Sequence, residues 1–127
     1  MAKWSGEYGE ERVVAFRTNQ GRKMADAVRS FSNALATGEL HHDADSRLVR
    51  HVGNCHRREA YGRDEDGRNL WTLYKERRDS PQKIDLAVAA VLSWEARRAA
   101  LADGVGLEQE SVWDRRAAAG EEVMPCL

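Results

Sequence analysis

The chain of 127 residues carries 20 Lys and Arg against 21 Asp and Glu, a formal net charge of −1 at pH 7. This length predicts one domain at most, and the balanced charge gives no general argument for nucleic acid or an anionic membrane as partner. The longest uninterrupted apolar run, Leu86 to Leu92, is far shorter than the ~20 residues of a membrane helix. We expect no membrane association, and the N-terminus lacks a signal-peptide core, which indicates a cytoplasmic protein.

The first part of the chain predicts a strand that leads into a helix. Arg12 to Arg17 is a short β-rich run with a charge at each end, typical of a mostly buried strand. Apolar residues then recur at three- and four-residue steps from Met24 to Leu35, which predicts an amphipathic helix starting near Arg22. Gly38 is placed to end this helix.

The middle of the chain predicts a helix, a loop and a second strand. Asp43 and Asp45 are N-cap candidates for a helix from about Ser46 to Ala60. The polar segment 61–69 contains two glycines and is expected to be a loop or a hairpin tip. Leu70 to Lys75, rich in aromatic and aliphatic residues, predicts a strand.

The last long helix is predicted to follow Asp79 or Ser80 as N-cap, with Pro81 in its first turn, where a missing N–H costs nothing. Its apolar face should pack on the sheet and comprises Ile84, Ala87, Val88, Val91, Leu92 and Trp94. Strands that alternate with helices predict an α/β fold. We divide the chain into a domain over 1–103 and a polar tail over 104–127, weakly helical around Gln109 to Ala119 or disordered.

An aspartate, Asp85, lies beside Ile84 where the apolar stripe of the last helix begins. With Ser80 as N-cap it would lie about one and a half turns into the helix, where stabilisation by the helix dipole is fading. Its spacing places it on the margin of the buried face, where a carboxylate needs a cation. The alternatives are a salt bridge, for example with Lys75, a surface position, or a role as metal ligand.

Two further groups of residues allow a functional interpretation. His51 and Cys55 are four residues apart, the spacing of two zinc ligands on one helix, although helix-face and capping roles are the ordinary alternative. A basic series could contact DNA phosphates, but acids interrupt it, so a solvated mixed-charge face is equally consistent. The series comprises Arg47, Arg50, Arg57, Arg58, Arg63, Arg68, Lys75, Arg77 and Arg78.

Four motifs occur in a specific order between about residues 4 and 100. They are N-Q-x-x-x-M-x-x-A from Asn19, G-x-L-x-H-D from Gly38, L-x-R-H-V-x-N from Leu48, and S-P-x-K-I-D-x-A-V-A from Ser80. A predicted strand ending in Lys75 lies between the third and the fourth motif, and each of these features is loose alone. Together they resemble the C-terminal part of the nuclease domain of phage terminase large subunits, which package and cut DNA.

The resemblance implies an RNase H-like fold, here a partial layer of short strands packed by two or three amphipathic helices. It also implies metal-dependent cleavage of double-stranded DNA with Mg²⁺ or Mn²⁺. The acid of the K-I-D segment corresponds to Asp85, which would be a catalytic residue and a metal ligand. Nearby basic residues, Lys75, Arg77, Arg78 and Lys83, would then hold the DNA backbone.

This chain also departs from the family pattern. The family's other metal-binding acids and its ATPase domain have no counterpart here, and the turn H-D-G-D of relatives appears as His42-Asp43-Ala44-Asp45. We therefore expect a truncated or split phage or prophage nuclease that needs a partner chain for the missing strands and acids. The alternatives are a non-enzymatic remnant or interaction protein that forms a homodimer through an exposed sheet edge, and a small zinc protein using His51 and Cys55.

Overall fold

The computed structural model describes residues 2–10, 13–104 and 118–120. These residues combine helices with a small two-stranded antiparallel sheet, in agreement with the α/β class at a coarse level. The chain divides into two compact units, Met1–Arg97 and Arg98–Leu127. In chain order the elements are α1 (Ala2–Tyr8), α2 (Gly21–Thr37), α3 (Ser46–Gly53), β1 (His56–Arg63), β2 (Asn69–Tyr74) and α4 (Asp85–Ala102).

Helix α2 forms as its apolar periodicity predicts. The structure buries a stripe at helical spacing, which comprises Met24, Ala25, Ala27, Val28 and Ala34. The helix ends at Gly38, which adopts a left-handed conformation with φ of 75° and donates its N–H to the Leu35 carbonyl. Glycine is favoured there because residues with a side chain rarely adopt a left-handed φ, although a Cβ at this position would meet no neighbouring atom. The predicted helix end at Gly38 is thus confirmed.

Helix α3 begins where its capping residues predict. The Asp45 carboxylate accepts hydrogen bonds from the N–H groups of Arg47 and Leu48, and the Asp43 carboxylate accepts one from the Asp45 N–H. These bonds satisfy donors that have no partner inside the helix. The arginine of this turn holds the pKa of Asp45 low, from its usual 3.8 to about 2, through a side-chain hydrogen bond and the backbone bonds.

The expectation that α3 continues to Ala60 is wrong. The helix ends at Gly53, and His56–Arg63 forms strand β1. Four charged or imidazole side chains in succession, from His56 to Glu59, leave no apolar face that could hold a further helical turn on the core. Pairing with the predicted strand β2 gives these residues backbone partners instead.

The two strands form a hairpin with an irregular end. Arg57 pairs with Leu73 and Glu59 with Trp71, but Arg63 pairs with Asn69, so β1 has two more residues than β2 between the last two pairs. Gly62 lies in this bulge with φ of 111°. The connection is closed by the Asp64 carboxylate, which accepts hydrogen bonds from two backbone N–H groups of the turn.

The predicted first strand is a second correction. Arg12 lies outside the described residues, and residues 13–17 have irregular backbone. The described sheet contains β1 and β2, so this run has no strand beside it to complete its backbone hydrogen bonds. Its Phe16 nevertheless packs against the core, which accounts for the apolar signal in the sequence.

The core joins α2, α4 and the hairpin. Its fully enclosed centre is formed by Met24, Ala27 and Val28 from α2 and Val91 from α4. Partly buried residues surround this centre, namely Phe16, Phe31, Trp71, Leu73, Val88 and Leu92. The indole N–H of Trp94 donates to the Ser30 hydroxyl over 3.0 Å, a further link between α4 and α2. The predicted apolar face of α4 is therefore buried, but the helix that packs closely on the sheet is α2, so the expectation that α4 packs on the sheet is not confirmed.

Helix α4 starts later than the capping signals suggest. It begins at Asp85, and the Ile84 carbonyl accepts the first α-helical hydrogen bond, from Val88. The buried Ser80 hydroxyl instead accepts a hydrogen bond from the Gln82 N–H, so it caps a separate turn. Among the described residues, no helix is long and apolar enough to cross a membrane. The predicted weak helix at Gln109 to Ala119 lies almost entirely outside those residues.

Candidate nucleic-acid interface and the start of helix α4

Asp85 is the first residue of α4 and is exposed to solvent. It is therefore in the first turn, not one and a half turns inside, and the positive end of the helix dipole stabilises its charge directly. Within the part of the chain that the structure describes, no ion pair or hydrogen bond engages its carboxylate, so the salt bridge with Lys75 is absent there. The structure favours a surface position, with the carboxylate open to a ligand.

The end of α3 lies against the start of α4. The Leu86 N–H donates to Nδ1 of His51 over 3.0 Å, and the Asn54 side-chain amide donates to the Lys83 carbonyl over 2.8 Å. These two hydrogen bonds, here called the α3–α4 contact, lie on either side of Asp85 in the sequence. His51 is thus a capping histidine, but for a helix other than its own.

The pair His51 and Cys55 does not have the arrangement expected of two zinc ligands. The ring of His51 uses Nδ1 to accept from Leu86, and the Cys55 thiol donates to the His51 carbonyl over 3.2 Å. Burial raises the pKa of the Cys55 thiol, which favours the protonated form over the thiolate that zinc needs. The zinc alternative remains a prediction, and it would require both groups to leave these partners.

The four basic residues predicted to contact DNA lie on the segment that joins β2 to α4. Arg77, Arg78 and Lys83 are exposed, and Lys75 is half-buried directly after β2. The Arg77 guanidinium lies 4.0 Å from the Asp79 carboxylate, both largely exposed, so this ion pair is weak and leaves the cation accessible. The same segment leads into Asp85.

A second basic surface lies on the hairpin. The Arg57 guanidinium lies 4.0 Å from the ring centroid of Trp71, and that of Arg58 lies 4.7 Å from the ring of Tyr74. Consecutive strand residues point to opposite faces, so each face of the hairpin carries one stacked arginine. A guanidinium that lies flat on a ring is held in place while its N–H groups remain available to an anion.

Arg57 and Arg58 belong to the predicted basic series, but they lie on strand β1 and not on the predicted helix. Their stacking on β2 became visible only with the strand register. The sequence contained a signal for this stacking. Trp71 and Tyr74 are three residues apart in β2, so their rings lie on opposite faces and can each pair with a long cationic side chain on the neighbouring strand. The depression of about 430 Å³ beside this face is of mixed charge and is lined by Arg57, Glu59, Arg68, Asn69 and Trp71.

Among the described residues, one predicted ligand of a divalent metal ion, Asp85, is exposed and accessible. The Asp85 carboxylate offers the hard oxygen atoms that Mg²⁺ and Mn²⁺ prefer. Across residues 2–10, 13–104 and 118–120, however, no group of three His, Cys, Asp or Glu side chains is placed to hold a metal ion. This part of the chain therefore does not provide a full ligand set.

Comparison with known proteins gives no independent identification. No family model, curated protein or solved structure matches this chain. The resemblance to terminase nucleases therefore rests on the motifs and their order.

Proposed function

We propose that this chain is a C-terminal part of a phage terminase large subunit nuclease, which binds double-stranded DNA and contributes Asp85 to metal-dependent cleavage. The observation that carries the proposal is the position of Asp85. It is exposed at the positive end of α4 and follows the basic segment 75–83 after one buried residue, Ile84. An acid that holds a metal ion must lie beside the DNA backbone, and this arrangement brings carboxylate and phosphate-binding groups into one stretch of chain.

The hairpin supports the DNA-binding part of the proposal. The arginines stacked on Trp71 and Tyr74 add oriented cations on both faces of an antiparallel ribbon. Contacts to phosphates position a protein on DNA without reading its sequence, which suits an enzyme that cuts at many sites. We propose no base-specific contact.

In this proposal, the α2, α4 and hairpin core is one part of an RNase H-like layer. A partner chain would supply the remaining strands, the other acids and the ATPase domain. Asp85 would provide one oxygen ligand for Mg²⁺ or Mn²⁺, and the ion would supply the charge stabilisation that phosphodiester hydrolysis needs. We expect the chain alone to bind DNA but not to cleave it, in the cytoplasm of an infected or lysogenic cell.

The DNA-binding part is tested by fluorescence anisotropy of a labelled duplex over a range of salt concentrations. We expect the double variant Arg77→Gln, Arg78→Gln to lower the slope of log affinity against log salt by about 1.8, since each phosphate contact contributes ~0.9. Arg17→Gln, Arg22→Gln makes the same charge change at exposed positions outside the segment. Equal slopes for the two double variants would contradict the proposed interface.

The cleavage part is tested with a reconstituted complex. The chain is mixed with a partner that carries the ATPase domain and the other nuclease acids, and plasmid nicking is followed in Mn²⁺. We expect Asp85→Asn to abolish nicking while duplex binding is retained. If this variant cleaves as well as the wild type, Asp85 is not a metal ligand.

A second candidate is a non-enzymatic interaction protein that forms a homodimer through the sheet. It is favoured by strand β1, which has exposed side chains at six of its eight positions, including Tyr61 at 100% exposure. In the described sheet β1 pairs only with β2, which leaves one edge for another strand. Sedimentation equilibrium over a wide concentration range decides: a dimer that dissociates when β1 is changed supports this candidate, and a monomer throughout excludes it.

A further inference from the structure

The α3–α4 contact fixes the backbone on both sides of Asp85. His51 lies in the last turn of α3 and Asn54, three residues later, is the C-cap of that helix, so their side chains emerge from neighbouring positions. One accepts a hydrogen bond from the N–H of Leu86 and the other donates to the carbonyl of Lys83. Residue 85 therefore lies between two backbone groups that are both held by α3.

The contact replaces a local cap. The first four N–H groups of a helix have no acceptor within the helix. In most helices a side chain just before the first turn supplies one, but here Ser80 is engaged with Gln82. The Leu86 N–H is instead satisfied by a ring 35 residues earlier in the sequence. The start of α4 thus depends on where α3 lies.

The chemistry of the His51 ring defines the contact further. Since Nδ1 accepts a hydrogen bond, the neutral ring carries its proton on Nε2. The Cys55 thiol donates to the carbonyl of the same histidine over 3.2 Å, which ties the end of α3 to the residue before β1. The hydrogen bond from Leu86 therefore selects one tautomer of the His51 ring, and that tautomer can be measured.

We propose that His51 and Asn54 are positioning residues that set the location of the Asp85 carboxylate. The functional consequence rests on the proposed function, in which Asp85 is a metal ligand. The positioning itself does not, because it is a statement about the backbone of residues 83–86. Supporting side chains that orient a ligand-bearing backbone matter because small displacements of a ligand weaken a metal site.

Amide hydrogen exchange by NMR on the full chain tests the positioning. We expect His51→Phe, which removes the acceptor and keeps a ring, to speed exchange at Leu86 about tenfold, the range expected when one capping hydrogen bond is lost. Exchange at Val91, deep in the core, should change much less. His51→Asn places an acceptor near the site of Nδ1 and should restore slow exchange. His41→Phe, at an exposed position outside the contact, is the matched control.

Two exchange results would overturn the proposal. One is unchanged exchange at Leu86 in His51→Phe. The other is an equal increase at Leu86 and Val91, which would show that the histidine only contributes to global stability. The ¹⁵N shifts of the ring give a second check: the wild type should show the proton on Nε2, and a ring with its proton on Nδ1 would also overturn the proposal.

Nicking by the reconstituted complex separates this proposal from the proposed function. If Asp85→Asn leaves nicking intact, the proposed function fails, while the exchange pattern still decides the positioning. If Asp85→Asn abolishes nicking, we expect His51→Phe to reduce it at least tenfold without weakening duplex binding, and His51→Asn to recover it. Undiminished nicking by His51→Phe would then show that the contact does not position Asp85 for cleavage.

Discussion

Replacing Ala44 with glycine should stabilise the protein. Ala44 has φ of 59°, a left-handed conformation, in the turn that leads to α3. This conformation costs an L-residue ~1–2 kcal/mol because Cβ approaches the following carbonyl oxygen. Glycine removes that strain but adds ~0.4–1 kcal/mol of conformational entropy to the unfolded chain. The net gain in the free energy of unfolding is about 1 kcal/mol.

Urea unfolding followed by tryptophan fluorescence measures this gain. Trp94 is buried against α2, so its emission reports loss of the core. For a domain of this size, a gain of about 1 kcal/mol should move the midpoint upward by roughly 0.5 M without a change in slope. An altered slope would indicate a change in the unfolded state or loss of two-state behaviour.

The matched control is Ala89→Gly, at an exposed position in the middle of α4. Here the backbone is already right-handed helical, so glycine only adds freedom to the unfolded chain and should lower stability by about 1 kcal/mol. The two alanine-to-glycine changes should therefore have opposite signs. If Ala44→Gly lowers stability by as much as Ala89→Gly does, the left-handed backbone of Ala44 is not a source of strain.

Three further predictions follow from burial, backbone conformation and charge. Val91→Ala should lower the free energy of unfolding by about 2–3 kcal/mol, because Val91 is 0% exposed and its truncation creates a cavity in the core. In the same urea assay, Val14→Ala at an exposed position should change the free energy of unfolding little. Gly62→Ala should lower the free energy of unfolding by about 2 kcal/mol. A φ of 111° disfavours a side chain, and a Cβ there would lie 3.3 Å from a methyl group of Leu70. An unchanged midpoint in thermal unfolding would contradict this prediction. Asp45→Asn should keep the cap but remove the ion pair with Arg47. Because folding lowers the pKa of Asp45 from 3.8 to about 2, its contribution is fully present above pH 3.8 and is lost as the pH falls towards 2. The stability difference between wild type and Asp45→Asn should shrink over that range, and a difference that grows instead would show the sign to be wrong.

Local signals in the sequence determined several elements. The C-terminal end of α2 at Gly38, the cap of α3 at Asp45 and the strand β2 all follow from residues within a few positions of each other. Helix caps and turns depend on hydrogen bonds between near neighbours, so the sequence contains all the groups involved. The basic segment before Asp85 could also be predicted, because its charge depends only on which residues it contains.

Tertiary structure decided the features on which the proposed function depends. The sequence could not show that residues 56–63 form a strand, since their helical or extended state depends on β2 as a partner. It also placed the start of α4 too early, because the group that caps Leu86 is His51, 35 residues away, and not the adjacent Ser80. The sequence by itself therefore showed that Asp85 is an isolated acid among apolar residues. Its exposed position at a helix start held by α3 arose only from contacts between distant segments, whose geometry is set by the packed core.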